Sequence, residues 1–426
     1  MTYHNAIKFI KNAPNIPPKE ESASERINAL CTALGSPQKK IKYIRLAGSN
    51  GKTVCARMLV SILNKANILN GCLSMPIYDD VRENIRINGV PISIEETVEY
   101  VSAVKSAVAK INSDPERTTD AFMPTAHEIL LCMALLAFVS HGCLLCLLES
   151  DHNAEDPSRY LPSPFAAVIC GSIPNEDRDR KDVYKIRSYI SRGIREIISA
   201  PQNTEAYKVI ADTCSTVNCR LTLAAKNNIN ITRLALGGTE FSYKDNDYSL
   251  RVCGQFQTVN AVVAIESADM LARCGYKISR QNIKDGLTAV TAPCKFELLS
   301  ISPTIIADST YTPIAIEAIC DSLTDFKNIV GTRIKLCLPE SEIIDYYVDA
   351  LSRRGYSIEK ISTLSSGDSE ADRTEHTSIP TTLLPTVKST AKDALNDLDR
   401  NSILLVSGPS NFTRSMRHEI LAILGF

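Results

Sequence analysis

The residues best suited by type and spacing to do chemistry are AGSNGKT, Ala47 to Thr53, set between a β-prone run, IKYIRLA at 41–47, and a helical pattern that begins at Lys52. Where a strand turns into a helix through glycines, unpaired backbone N–H groups and the positive end of the helix dipole converge, and an anion is favoured there. Gly48 and Gly51 let the chain wrap closely, Ser49 and Asn50 lie in the wrap, Lys52 supplies a full positive charge, and Thr53 supplies a hydroxyl suited to magnesium. The chemistry expected of such a loop is the holding of a nucleotide's phosphates. Its spacing departs from the strict GxxxxGK(S/T) form, because Leu46 stands where that form has its first glycine, and a glycine-rich turn that holds no phosphate is the alternative reading.

The chain that must position this loop has 426 residues, beyond the size at which one hydrophobic core stops growing, so two domains are expected. Apolar residues make up 44% and charged residues 22%, with a formal net charge of −1, which gives no electrostatic bias toward nucleic acid or an anionic membrane. The fourteen cysteines are scattered and often sit in apolar runs, as Cys143 and Cys146 do in CLLCLL, so they read as core thiols of a reducing cytosol rather than as a disulfide framework or metal ligands. The apolar stretch at 129–148 approaches membrane-span length, but Ser140-His141-Gly142 interrupts it, and a buried helix followed by a buried strand explains it better.

Two helices are expected near 3–12 and 23–34, then the strand at 41–47, a helix from Lys52 to about Ala66, and a short strand after Gly71. Asn88-Gly89 between β-prone runs marks a hairpin, and Ser93 with Glu96 a capping box that opens the next helix. Strands at 143–148, 166–170 and 207–210 with a helix near 182–198 give a β-α-β rhythm, followed by a hairpin in 240–253 and a helix over 257–274. From about residue 295 a smaller α/β unit begins, with strands in FELLSI, TIIADS, IKLCLP and SILLVSG, a helix from Pro313, a final helix, and a polar loop at 362–378.

LGSPQKKIKYIRLAGSNGK (34–52), NIRINGVPIS (84–93), TAHEILLCMALLAF (125–138), GQFQTVNAVVAI (254–265) and APCKFELL (292–299) resemble, in order and spacing, the folylpolyglutamate synthase family, a branch of the Mur ligases. The resemblance covers essentially the whole chain. It implies a P-loop-containing Mur-ligase-like α/β domain with a mainly parallel sheet over residues 1–294, a Rossmann-like α/β domain over 295–426, and an active cleft between them. It also implies that ATP phosphorylates the γ-carboxylate of a folate, after which the amino group of glutamate attacks the acyl phosphate. Carried over by position, Lys52 is the phosphate-loop lysine, Thr53 a magnesium hydroxyl with Val54 where the family often has another, and Glu149 the magnesium glutamate at the carboxyl edge of the sheet.

Several family positions are substituted. The glycine-rich run after the glutamate is SDHNAEDPSR here; the histidine motif becomes GSIPNED, leaving Asn175, Glu176 or Asp177 as substitutes; and Ile194 stands where the family has a carbamylated lysine. Asn260 matches the adenine-side asparagine, but the preceding histidine is Phe256. Lys295 replaces an arginine, which keeps charge without the bidentate fork, and Asp308-Ser309-Thr310-Tyr311-Thr312-Pro313 keeps the ribose-side aspartate and the proline. Glu128 reads equally as a helix-start carboxylate or a substrate-side one. Tyr311 could stack on adenine or simply pack, Arg82 and Arg86 flank the hairpin beside the folate loop, and His141 and His152 are expected to be exposed without partners. The expected activity is therefore an ATP- and Mg²⁺-dependent ligase of a folate-like carboxylate and glutamate, a cytoplasmic monomer that needs no nucleic acid or membrane. A nucleotide-binding paralogue that has lost ligation, and a Mur-type ligase with a non-folate acceptor, are the alternatives.

Overall fold

The computed structural model describes residues 1–14, 22–48, 50–115, 121–150, 156–173, 187, 189–309, 311–365 and 379–426. The chain forms two compact α/β units, one built of residues 1–226 with 260–287 and the other of 227–259 with 288–426. Relative to the expected boundary at 294/295, the chain passes finally into the second unit seven residues earlier, and the segment 227–259 groups with the second unit.

The first unit is organised by an eight-stranded sheet: β1 (Tyr43–Ala47), β2 (Asn70–Leu73), β3 (Ile85–Ile87), β4 (Val90–Pro91), β5 (Leu145–Glu149), β6 (Ala166–Ile169), β7 (Glu196–Ser199) and β8 (Arg220–Leu223). Their order is β4-β3-β2-β5-β1-β6-β7-β8. Pairing is parallel except at β2–β3 and β3–β4, where the Asn88-Gly89 turn makes an antiparallel hairpin. Every residue of β1 and β5 is buried, as central strands covered on both faces require. The helices α1 (Tyr3–Lys11), α2 (Ala23–Ala33), α3 (Lys52–Lys65), α4 (Ile94–Asn112) and α5 (Ala126–Ser140) belong to this unit. Capping boxes start α4 at Ser93/Glu96 and α5 at Thr125/Glu128. α5 is apolar on nearly every side because it is buried on nearly every side, and no helix among the described residues is long and apolar enough to cross a membrane.

Two expected elements of this unit are corrected. The helix near 182–198 does not hold at its carboxyl end, because EIIS at 196–199 is β7; residues 174–186 and 188 lie outside the described residues. The expected strand at 207–210 is the first half of a helix, Thr204–Val217, capped by Asn203, whose side chain accepts from the Ala206 amide. In both places a short apolar run fits either period, and the neighbouring sheet and cap decide between them.

The second unit holds an antiparallel three-stranded sheet, β9 (Asn230–Ala235), β10 (Gly238–Tyr243) and β11 (Asn246–Leu250), in which the expected hairpin is β10–β11. It also holds a six-stranded sheet: β12 (Glu297–Ile301), β13 (Thr304–Asp308), β14 (Arg333–Pro339), β15 (Ser357–Leu364), β16 (Thr381–Leu384) and β17 (Ser402–Ser407). The order β12-β13-β17-β14-β15-β16 is parallel apart from β12, a Rossmann-like arrangement. Residues 362–364 of the expected polar loop continue β15, and 366–378 lie outside the described residues. All fourteen cysteines are free; Cys143 and Cys146 are buried, and no cluster of three or more His, Cys, Asp or Glu that could hold a metal occurs among the described residues.

Candidate active site

β1 delivers the chain to Gly48 at the carboxyl edge of the first sheet, and α3 starts four residues later. Gly48 has φ +121°, and a Cβ there would stand 1.9 Å from the Cys170 carbonyl oxygen. Gly51 has φ +81°, and a Cβ there would stand 2.4 Å from Asn260 Oδ1. Both glycines are therefore demanded by backbone conformation and by close approach. Lys52 Nζ donates back to the Gly48 carbonyl at 2.7 Å, so the cation lies over the loop it follows. Ser49 lies outside the described residues. Replacing Gly48 by alanine is expected to cost about 1–3 kcal/mol from backbone strain alone, with the clash at Cys170 added; an unchanged urea midpoint would show that the loop does not need this approach.

Glu149, the last residue of β5, is 2% exposed. Thr53 Oγ1 donates to its Oε2 at 2.9 Å and Ser74 Oγ donates to its Oε1 at 2.9 Å. Burial pushes this carboxyl above its usual range, while the bonds from Ser74 and Thr53 and the charges of Lys52 and Arg57 pull it back. The arrangement follows from strand order: β2, β5 and β1 are neighbours, so the residue after β2, the end of β5 and the loop after β1 meet at one edge. Ser74 carries no motif in the sequence; the signal that finds it is its place one residue past a buried strand beside β5. One carboxylate and two hydroxyls are hard oxygen donors, a set that fits a magnesium ion held chiefly by substrate phosphates rather than by a protein cage.

Asn260, expected on the adenine side, sits on the helix Phe256–Arg273 with its side-chain oxygen against Gly51, and Cys55 Sγ lies 3.6 Å from its backbone oxygen. It backs the Gly48–Thr53 loop. In the second unit Asp308 ends β13 and is 3% exposed. Ser309 donates its amide to the Cys294 carbonyl at 2.8 Å, which fixes the turn carrying Lys295 beside the end of β13.

The other candidates fall mostly to structure. Glu128 caps α5 and forms a buried ion pair with Arg26, 2.9 Å from Arg26 Nη2, so both its oxygens are engaged and the helix-start reading stands. Arg82 pairs with Asp80 and Arg86 with Glu83 and the Gly89 carbonyl. His141 is exposed, as expected, and its Nε2 meets Glu96 Oε1 at 2.5 Å. Tyr311 is 45% exposed. Ile194 is 4% exposed in a core with Ile173, Tyr189 and Ile197, ahead of β7 rather than on a helix. His152, Asn175, Glu176, Asp177 and Thr310 lie outside the described residues.

No family model matches the chain. It is 26% identical over 332 residues to the dihydrofolate synthase/folylpolyglutamate synthase of Mycobacterium tuberculosis, covering 72% of this chain and 68% of that one. It is 23% identical over 334 residues to the folylpolyglutamate synthase of Lacticaseibacillus casei, covering 76% and 77%. It spans only 39% of a probable bifunctional folylpolyglutamate synthase/dihydropteroate synthase of Haloferax volcanii. The apo form of the L. casei synthase has the same fold, with a TM-score of 0.81 over 100% of both chains at 20% identity. The chain resembles the folylpolyglutamate synthases in sequence and in fold.

The positions expected from the resemblance to keep the family's residues lie in a tightly packed part of the chain: Gly48 and Gly51 in the loop up to Thr53, and Glu149 with the hydroxyls on it. At two of the substituted positions the side chain has turned to packing. Ile194 lies in the core, and Phe256 meets Phe296 edge-on at 5.9 Å between ring centroids.

Proposed function

We propose that the chain is an ATP- and Mg²⁺-dependent ligase that joins a folate-like carboxylate to the amino group of glutamate, acting as a cytoplasmic monomer. The observation that carries this reading is the Glu149 carboxylate, buried yet capped on both oxygens by Thr53 and Ser74 at the mouth of the Lys52 loop. A buried carboxylate held by hydroxyls beside a lysine is costly for stability and useful for phosphate chemistry.

The loop amides and Lys52 would bind the terminal phosphates of ATP and set the transferring phosphorus in line with an acceptor carboxylate oxygen. Phosphoryl transfer gives an acyl phosphate and ADP. The amine then attacks the acyl carbon, the amide bond forms, inorganic phosphate leaves, and the amine's proton passes to solvent. Thr53, Ser74 and Glu149 would hold magnesium, whose contribution is to screen phosphate charge. We also assign nucleotide contact to Lys295 and Asp308, supported by their common anchorage through Ser309 at the end of β13.

Lys52→Ala is expected to weaken Mg·ATP binding by about 1.5–3 kcal/mol, the scale of a charged hydrogen bond. Calorimetry reads this directly, and wild-type affinity in the variant would remove the phosphate-loop assignment. The reaction itself is tested by ADP release over a panel of carboxylates and amino acids. A nucleotide-binding paralogue without ligation is the second reading, favoured by the core position of Ile194. Tight ATP binding with no turnover on any acceptor would decide for it.

A further inference from the structure

We propose that Glu297 and Ser309 are positioning residues that hold Lys295 in a strained turn and so aim its ammonium at a phosphate oxygen. The inference rests on the assignment of Lys295 to the nucleotide and adds the device that makes that contact possible.

The residues on both sides of Lys295 are left-handed: Cys294 has φ +56° and Phe296 has φ +57°. Neither is glycine, and a bulky aromatic residue in this region is an outlier. Such strain persists where surrounding bonds over-determine it, and here they do. The Cys294 amide donates to Glu297 Oε2 at 2.9 Å. The Cys294 carbonyl accepts from the Ser309 amide at 2.8 Å and from Ser309 Oγ at 3.0 Å. The Lys295 amide donates to the Ala292 carbonyl at 3.1 Å, and its carbonyl accepts from Gln257 Nε2 at 3.2 Å. Glu297 is itself fixed by both arms of Arg417, at 2.6 and 2.7 Å. Phe296 is 1% exposed, which locks the far side of the turn into the core.

All four backbone polar groups of Cys294 and Lys295 are thus specified, around a residue whose own side chain is only half-buried. Packing asks for Phe296 but not for a left-handed residue before the lysine. What the bonds at Cys294 secure is the direction in which Lys295 leaves the backbone. Because Ser309 follows Asp308 directly, the same bonds set the lysine beside the carboxyl end of β13.

The test is a cycle read by calorimetry with Mg²⁺ and a non-hydrolysable ATP analogue, with melting temperatures taken on the same samples. Lys295→Ala is expected to weaken binding about tenfold, the scale of one charged hydrogen bond. Glu297→Ala should match it, and Lys295→Ala/Glu297→Ala should be no weaker than either alone, since a positioning residue has nothing to position once the lysine is gone. Ser309→Ala, a milder change for the case where Glu297→Ala folds poorly, should cost a few-fold in the wild type and nothing in the Lys295→Ala background. Arg417→Met, which leaves Glu297 able to accept from Cys294, should lower the melting temperature more than it lowers affinity. Wild-type affinity in Glu297→Ala and Ser309→Ala beside a weakened Lys295→Ala overturns the inference alone, as do losses that multiply in the double variants. Wild-type affinity in Lys295→Ala overturns the nucleotide assignment of Lys295 and the inference with it.

Discussion

Arg26→Met is expected to lower the unfolding free energy by about 3–5 kcal/mol, the cost of leaving a buried charge without its partner. Arg26 and Glu128 are each 2% exposed, and the guanidinium grips the carboxylate through Nε at 3.0 and 3.2 Å and through Nη2 at 2.9 Å. The pair joins α2 to the start of α5 across 102 residues of sequence. Glu128 cannot escape to water, because the same carboxylate accepts the Thr125 amide at 2.8 Å in the capping box. Urea denaturation of the purified chain measures the effect. Arg26→Met/Glu128→Gln should recover much of the loss, since the amide keeps the cap and removes the stranded charge. A loss below about 1 kcal/mol in Arg26→Met, the range of an exposed pair, would mean that the pair is effectively solvated.

Glu149→Ala is expected to cut ADP formation by about 10²–10³, the usual cost of removing one electrostatic element of an active site. Stability should not fall with it. Burial disfavours the ionised side chain, so its removal relieves a cost that the bonds from Thr53 and Ser74 only partly offset. A melting temperature at or above the wild type together with a collapse in ADP release is thus the expected signature. Turnover within about threefold of the wild type, well short of the expected electrostatic loss, would remove Glu149 from the chemistry. The Glu176→Ala/Asp177→Ala variant, assayed in parallel, asks whether the substituted histidine motif carries any of the remaining activity.

Much of the geometry around the Gly48–Thr53 loop was legible in the chain. Gly48, Gly51, Lys52 and Thr53 form a local motif, and local motifs need only a strand before and a helix after to take their shape. Glu149 was legible for a related reason: a carboxylate ending a long apolar run must emerge at a sheet edge. The hairpin at Asn88-Gly89 and the capping box at Ser93 with Glu96 are likewise short-range, fixed by backbone preference and by a single side-chain bond.

What the sequence determined by itself was therefore the glycine loop between β1 and α3, the strand-end glutamate and the alternating α/β plan, all set by interactions between residues close in the chain. Tertiary structure decided the rest. It made 196–199 a strand and 204–217 a helix, where a short apolar run fits either period and only the adjacent strands and the Asn203 cap choose. It placed Ser74 on Glu149, turned Glu128 toward Arg26, and put Ile194 into the core. Each of these depends on strand order or helix packing that brings together residues dozens of positions apart, and no local pattern encodes which distant partner a polar side chain will meet.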